Sequence, residues 1–156
     1  MNILFVCTGN ICRSPLAEGI LQKKFLHNDI HGIVDSCGFE TFHIGDSPDH
    51  RAQKIARANG IEISDHRARM FQVRDFDRFD RIYVMDSSHY QSVMHLTRNP
   101  QDRDKVDFVM NALHPGRNMP VKDPYYDHHD AFESVFNQLE EACNAIVLSL
   151  ASGRIP

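Results

Sequence analysis

One short stretch concentrates reactive side chains: Cys7-Thr8-Gly9-Asn10-Ile11-Cys12-Arg13-Ser14. The apolar run Ile3-Leu4-Phe5-Val6 leads straight into it, and Ser14-Pro15 opens a helix straight after. A loop between a strand end and a helix N-terminus turns backbone N–H groups inward and makes a nest for anions. A cysteine at the start of that loop feels the donors and the helix dipole together. Both favour thiolate, the nucleophilic form of sulfur. Arg13, six residues on, can fold back over the nest, where its planar fork matches two oxygens of a phosphate. Ser14 can hydrogen-bond the sulfur, cap the helix, or do both. The bland alternative for Cys7 is a small hydrophobe at a buried strand end. Position weighs against it, because thiol, glycine, arginine and helix start meet at one turn. No Gly-Lys-Ser or Gly-Lys-Thr is present, which excludes a nucleotide P-loop of the Walker type.

The elements that must hold this loop alternate along the chain. Ile3-Leu4-Phe5-Val6 reads as a strand buried on both faces. The next helix carries Leu16, Ala17, Ile20, Leu21 and Phe25 on one stripe, with Ser14 as N-cap and Pro15 in the first turn. Ile33-Val34 lies in a second strand, closed by Ser36-Cys37-Gly38. Ser47-Pro48 opens another helix, which Gly60 ends. Ile82-Tyr83-Val84-Met85 reads as a third strand, followed by a helix over residues 88–96. Residues 105–110 form a fourth, weaker strand. Asp130 and Glu133 have capping-box spacing ahead of the last helix. Its apolar residues run from Phe132 through Val135, Phe136, Leu139, Cys143, Ile146 and Val147 to Leu150.

This repeated β-α-β order predicts an α/β fold, a three-layer sandwich with a four-stranded parallel sheet and helices on both faces. Ligands in such sheets bind beyond the C-terminal ends of the strands. The irregular stretches 38–49 and 111–130 are candidate walls for a site there.

The chain has 156 residues, which suits one domain over 1–156. Apolar residues make up 42% and charged residues 24%, the composition of a packed globular protein rather than a disordered one. Apolar runs such as Ala145-Ile146-Val147-Leu148 are far short of the ~18 residues that a membrane helix needs. A formal charge of −4 argues against nucleic acid as a partner. No secretory signal opens the chain, and its four cysteines then read as reduced thiols of a cytoplasmic protein.

The string Val6-Cys7-Thr8-Gly9-Asn10-Ile11-Cys12-Arg13-Ser14-Pro15 resembles the signature of the low-molecular-weight protein tyrosine phosphatases. Asp123-Pro124-Tyr125-Tyr126 resembles their second motif. The likeness covers nearly the whole chain, through Asp35-Ser36, His43-Ile44-Gly45, Pro48-Asp49, His66-Arg67-Ala68-Arg69 and Met85-Asp86 in the family's order. It implies hydrolysis of protein phosphotyrosine and small aryl phosphates through a phosphocysteine, with no metal and no cofactor. Cys7 would attack phosphorus. The N–H groups of the loop Thr8, Gly9, Asn10, Ile11, Cys12 and Arg13, with the Arg13 side chain, would hold the three equatorial oxygens.

By the same resemblance Asp123 would protonate the leaving phenolate and then serve as base on water. Alone, an Asp-Pro reads as a turn. Tyr125 and Tyr126 would flank a slot for the substrate ring, with Phe42 as the opposite wall. The family often has Trp or Tyr at that position, so the apolar face is kept and a polar donor is lost. Asn10, Ser14, Ser36 and His66 match a hydrogen-bonded set that supports the loop. On its own His66 reads as a solvated loop histidine. Cys12 has two readings, packing beneath the loop or trapping oxidised Cys7 as a disulfide. The implied partners are phosphotyrosine-containing proteins and inorganic phosphate or oxyanion inhibitors, with no nucleic acid and no membrane.

Other features carry less. Asp127-His128-His129-Asp130 invites a metal, but adjacent side chains seldom converge on one ion. Cys37 and Cys143 read as core fillers. Residues 74–80 read as a solvated short helix with two Phe anchors. An arsenate reductase would need two further cysteines in a mobile segment, and residues 80–99 hold none. A protein-arginine phosphatase tends to carry Thr at the position of Ile11 and to lack the tyrosine pair. A catalytically dead phosphopeptide-binding module would not need Cys7, Arg13 and Asp123 together.

Overall fold

The computed structural model describes residues 1–154 and 156. Along the chain run β1 (Ile3–Val6), α1 (Arg13–His27), β2 (Val34–Cys37), α2 (His50–Ala58), α3 (Asp75–Arg78) and β3 (Arg81–Val84). Then come α4 (Ser87–His95), α5 (Pro100–Asp104), β4 (Val106–Phe108), a 3-10 turn at Val109–Ala112 and α6 (His129–Ala151). The four strands form one sheet in the order β2-β1-β3-β4, and every neighbouring pair is parallel.

The central strand explains the two layers of helices. All four β1 residues are fully buried, and successive side chains of a strand point to opposite faces. Ile3 and Phe5 enter a core shared with Leu16 and Ile20 of α1, Ile55 of α2 and Leu139 of α6. Leu4 and Val6 enter a second core with Phe76 of α3, Val93 of α4 and Phe108 of β4. The fold is thus the expected α/β sandwich with a four-stranded parallel sheet.

Sheet order places the site. From β1 the chain steps outward to β2, then returns past β1 to β3 and β4. Connections on either side of β1 therefore diverge, and the gap at its C-terminal end is the switch point where such sheets bind ligands. All four strands are parallel, so the segments after β1, β2, β3 and β4 leave from the same edge.

Several local expectations are corrected. Helix α1 starts at Arg13, with Cys12 at the cap position and no side-chain cap bond. Ser14 lies inside the helix, so it is not the N-cap; its hydroxyl serves the loop instead. Helix α2 starts at His50, later than Ser47-Pro48 suggests. Asp49 caps it, accepting from the Arg51 N–H at 2.8 Å, and a carboxylate there also meets the helix dipole. Helix α6 begins one residue ahead of Asp130, which sits in the first turn without a capping box.

The remaining corrections concern strand ends and one short helix. Strand β2 starts at Val34, and Ile33 stays half exposed outside it. Strand β4 stops at Phe108 because Asp107 Oδ1 turns the chain, accepting from the Phe108 N–H and from the Asn111 side chain. The 74–80 stretch is not simply solvated. Asp75 is fully buried against Arg69, whose Nη1 donates to it at 3.1 Å, while Phe76 and Phe79 anchor as expected. Helix α5 is additional. Asn99 caps it and Pro100 opens it, signals that the sequence displays.

Candidate active site

Residues 7–12 turn from the end of β1 onto the start of α1. Cys7 and Arg13 are both buried, and Cys7 Sγ lies 2.9 Å from Ser14 Oγ. Asn10 takes a φ of 56°, a left-handed conformation that non-glycine residues seldom adopt. Its side chain holds that turn. Nδ2 donates to Ser14 Oγ at 2.8 Å and to Ser36 Oγ at 2.9 Å. Oδ1 accepts from the Arg69 N–H at 3.0 Å and meets His66 Nε2 at 2.9 Å. Because Asn10 already donates into Ser14, the serine's own proton has two acceptors within reach, the sulfur at 2.9 Å and the Cys37 carbonyl at 3.4 Å. The expected support residues Asn10, Ser14, Ser36 and His66 are therefore brought together.

Behind them stands a buried carboxylate that the sequence reading missed. Glu18 Oε2 lies 3.2 Å from His66 Nδ1. Burial, with Asp35 alongside, pushes the Glu18 carboxyl up. Glu18, Asp35 and His66 are close enough to converge on an ion. Each is already engaged: Arg69 holds Asp35 at 2.9 Å, and Asn10 holds His66. We therefore assign them to loop support. Helical spacing put Glu18 one turn after Ser14, a signal that could have exposed it.

Arg13 is clamped on several sides. Nη1 donates to the Val121 carbonyl at 2.8 Å and to Asp86 Oδ2 at 3.1 Å, and Nη2 donates to Thr8 Oγ1 at 3.1 Å. Asp86 caps α4. Burial alone would raise its carboxyl, but hydrogen bonds from Ser88 and Arg13 hold it below the usual carboxylate range. It therefore remains an anion opposite the guanidinium. Asp123 Oδ2 lies 3.6 Å from Arg13 Nη2.

These groups open into a cavity of about 250 Å³. Cys7, the loop and Arg13 form its floor, and Asp123, Phe42, Tyr125 and Tyr126 line it as expected. Two lining residues, Glu40 and His43, were not singled out. The His43 ring lies against Gly9 so closely that a Cβ there would come within 2.9 Å of it. It also packs edge-on to Phe42 and near Tyr125, so the aromatic wall is continuous. Phe42 and Tyr126 are 81% and 94% exposed, which places them at the rim rather than the floor.

Arg51 fastens the far wall. It pairs with Asp49 at 2.9 Å, donates to the Tyr125 carbonyl at 2.8 Å and stacks over the Tyr125 and Phe132 rings. Among the described residues, no protein acceptor meets the backbone N–H groups of Thr8, Gly9, Asn10, Ile11, Cys12 or Arg13. Such unpaired donors are rare in protein interiors. Cys12 is a free, buried thiol that burial pushes well above its ordinary value. Cys37 and Cys143 are fully buried, as core fillers should be. Within the 127–130 run, Asp127 pairs with Lys122 at 3.6 Å, and the His129 side chain lies outside the described residues.

The model of the low molecular weight phosphotyrosine protein phosphatases matches residues 2–154. The chain belongs to that family. It is accordingly an enzyme of the protein-tyrosine-phosphatase class, a hydrolase. The low molecular weight phosphotyrosine protein phosphatase of Schizosaccharomyces pombe is 36% identical over 97% of each chain. The protein tyrosine phosphatase of Entamoeba histolytica, solved with Hepes in its active site, superposes with a TM-score of 0.90. It is 32% identical and covers 98% of each chain. An arginine phosphatase from Drosophila superposes at 0.89 with 28% identity, covering 96% of this chain and 98% of its own. No helix among the described residues is long and apolar enough to cross a membrane.

Proposed function

We propose that residues 1–156 act as one phosphatase domain that hydrolyses protein phosphotyrosine and small aryl phosphates by way of a phosphocysteine. One observation carries the reading: a buried cysteine sulfur, a clamped guanidinium and the loop that carries six unpaired backbone N–H groups meet at a single cavity floor. Cys7 thiolate attacks phosphorus, and the bond to the leaving oxygen breaks. Asp123 gives that oxygen its proton. A water then attacks the phosphocysteine while Asp123 takes the water's proton, the S–P bond breaks and the thiolate returns. The N–H groups and Arg13 meet the phosphoryl charge throughout, so the chemistry calls for neither metal nor cofactor. Inorganic phosphate and other oxyanions should occupy the same nest as inhibitors. Free cysteines that are all buried suit a reducing, cytoplasmic compartment.

Asp123 is about 44% exposed on its side chain and stands beside Arg13 at the cavity wall, within reach of solvent and of a leaving group. Asp123→Asn is expected to slow aryl phosphate hydrolysis by roughly 10²–10⁴, the scale of general acid catalysis. The loss should shrink as the leaving phenolate becomes more stable, and the acidic arm of the pH profile should change with it. Turnover across a series of substituted phenyl phosphates measures this. An equal loss for every leaving group would make Asp123 structural.

The aromatic wall bears on the substrate class. Beside Tyr125 a phosphate held at Cys7 suits a long, flat arm, which a tyrosine ring provides and serine or threonine does not. Ile11 on the cavity lining and the Tyr125-Tyr126 pair favour an aryl phosphate over phosphoarginine. We expect turnover of para-nitrophenyl phosphate without added metal and a strong preference for phosphotyrosine peptides. Tyr125→Ala should lower efficiency on aryl phosphates more than on small alkyl phosphates. The check is kcat/KM for phosphotyrosine, phosphoserine and phosphoarginine substrates side by side. Equal rates on phosphoserine would sink the slot, and a preference for phosphoarginine would place the chain with its Drosophila relative's activity.

A further inference from the structure

Thr8 follows the nucleophile in the chain, and its hydroxyl has two partners. Arg13 Nη2 donates to Oγ1 at 3.1 Å, and His89 Nε2 lies 2.8 Å away. His89 reaches this point from α4 and is only 3% exposed. On the other side of its ring, Nδ1 faces Asp86 Oδ1 at 3.3 Å, though off the line of a good hydrogen bond. A bare nitrogen there would set its lone pair against a carboxylate, so the ring proton belongs on Nδ1. In a neutral imidazole that leaves Nε2 as an acceptor. The Thr8 hydroxyl then accepts from Arg13 and gives its own proton to His89. Asp86 closes the circuit by accepting from Arg13 Nη1 at 3.1 Å through its other oxygen. Four side chains form a ring: Arg13, Thr8, His89 and Asp86.

We propose that His89 is a positioning residue for Arg13, acting through the Thr8 hydroxyl as the neutral Nδ1–H tautomer. Asp86 and the Val121 carbonyl both hold Nη1 of Arg13, and the other terminal nitrogen, Nη2, has its hydrogen bond at Thr8. Tying the second nitrogen to a hydroxyl of set direction fixes the plane of the fork. Small misplacement of a positioning group can cost 10²-fold in rate, so a residue that touches no substrate can still govern turnover.

Three charged groups face His89: Arg13 from α1, Asp86 from the start of α4 and Asp123 from the segment after β4. Burial, helped by the Arg13 charge, lowers the imidazole to about 4, against the opposite pull of the two carboxylates. The ring is therefore neutral at physiological pH. Protonation would aim an Nε2–H at the threonine proton and set a second cation beside Arg13.

The inference rests on Arg13 as the phosphate clamp, so the experiment separates the two. Inorganic phosphate is the binding probe and para-nitrophenyl phosphate the substrate. A wild-type chain that neither binds nor hydrolyses would defeat the functional reading; the ¹⁵N imidazole spectrum would still test the His89 tautomer. With wild-type activity present, His89→Leu should lower kcat/KM at least about tenfold and weaken phosphate binding with it. His89→Gln, whose Oε1 can stand near the Nε2 position as a non-titrating acceptor, should stay within about threefold. Thr8→Val should resemble His89→Leu, and the double variant should be no worse than the worse single.

Normal kinetics in His89→Leu, singles that multiply, a glutamine as poor as leucine, or a neutral-pH spectrum with Nε2 protonated would each overturn the proposal. Should the leucine variant not fold, Thr8→Val and His89→Gln decide alone. A valine loss below tenfold, or a glutamine loss as large as valine's, would overturn it.

Discussion

Cys7→Ser should abolish turnover, by at least about 10⁴-fold, while phosphate and vanadate binding largely survive. Binding and attack draw on different atoms. The anion is held by the backbone N–H groups of residues 8–13 and by the Arg13 fork, none of which the substitution touches. A serine hydroxyl fits the same buried place and can keep the partner at Ser14 that the sulfur has at 2.9 Å. It cannot attack, because a hydroxyl stays protonated at neutral pH and its hydrogen-bond partner among the described residues is another hydroxyl, that of Ser14, rather than a base. Single-turnover kinetics and a phosphate titration on the same preparation read the two properties apart. Retention of more than a trace of activity would remove Cys7 as nucleophile. Loss of phosphate binding together with activity would mean that the sulfur shapes the nest as well as attacking.

The parts of this site that local patterns encode were legible in the sequence. An all-apolar strand, a thiol, a glycine, an arginine and a helix start in one short run admit few arrangements. The α/β order followed from alternating periods, since buried parallel strands and striped helices leave different patterns. Caps were less legible. Ser14 is a better-looking cap than Cys12, yet its hydroxyl goes to sulfur and Asn10, a demand set by the fold of the loop and invisible in the local string. Asp49 displaced Ser47 for a local reason, because a carboxylate two residues nearer the helix binds the first-turn N–H with a full charge.

Residues that act across long sequence gaps were the least legible. Asp86 and Val121 clamp Arg13 only because β3 and the segment after β4 deliver them to the same sheet edge as β1. Glu18 looks like an ordinary surface carboxylate until β2 brings Asp35 beside it and His66 closes over both. His43 is one residue from Phe42, which was picked out, but only the close pass of its ring over Gly9 makes it part of the wall. Tertiary structure supplies these contacts, and no spacing rule anticipates them.

Arg13→Lys should prove nearly as damaging as loss of the nucleophile, at least about 10²–10³-fold in kcat/KM, the scale for removing a donor to a developing oxyanion. Lysine keeps the charge, so the size of the loss measures geometry. Arg13 is 2% exposed and spends its N–H groups in several directions at once: Asp86, the Val121 carbonyl, Thr8 and the cavity. An ammonium has three donors at one point and no plane, so it cannot hold Asp86 and still present two parallel bonds to a phosphate. It would settle on the buried Asp86 carboxylate, where a charge left unpaired costs most. Phosphate binding should therefore weaken alongside turnover, the opposite of the pattern expected for Cys7→Ser. Measuring phosphate inhibition and kcat/KM for both variants under one set of conditions gives the contrast directly. A lysine variant within tenfold of wild type, about 1.4 kcal/mol of transition-state stabilisation, would mean that Arg13 is held by Asp86 for structure and is not on the phosphate.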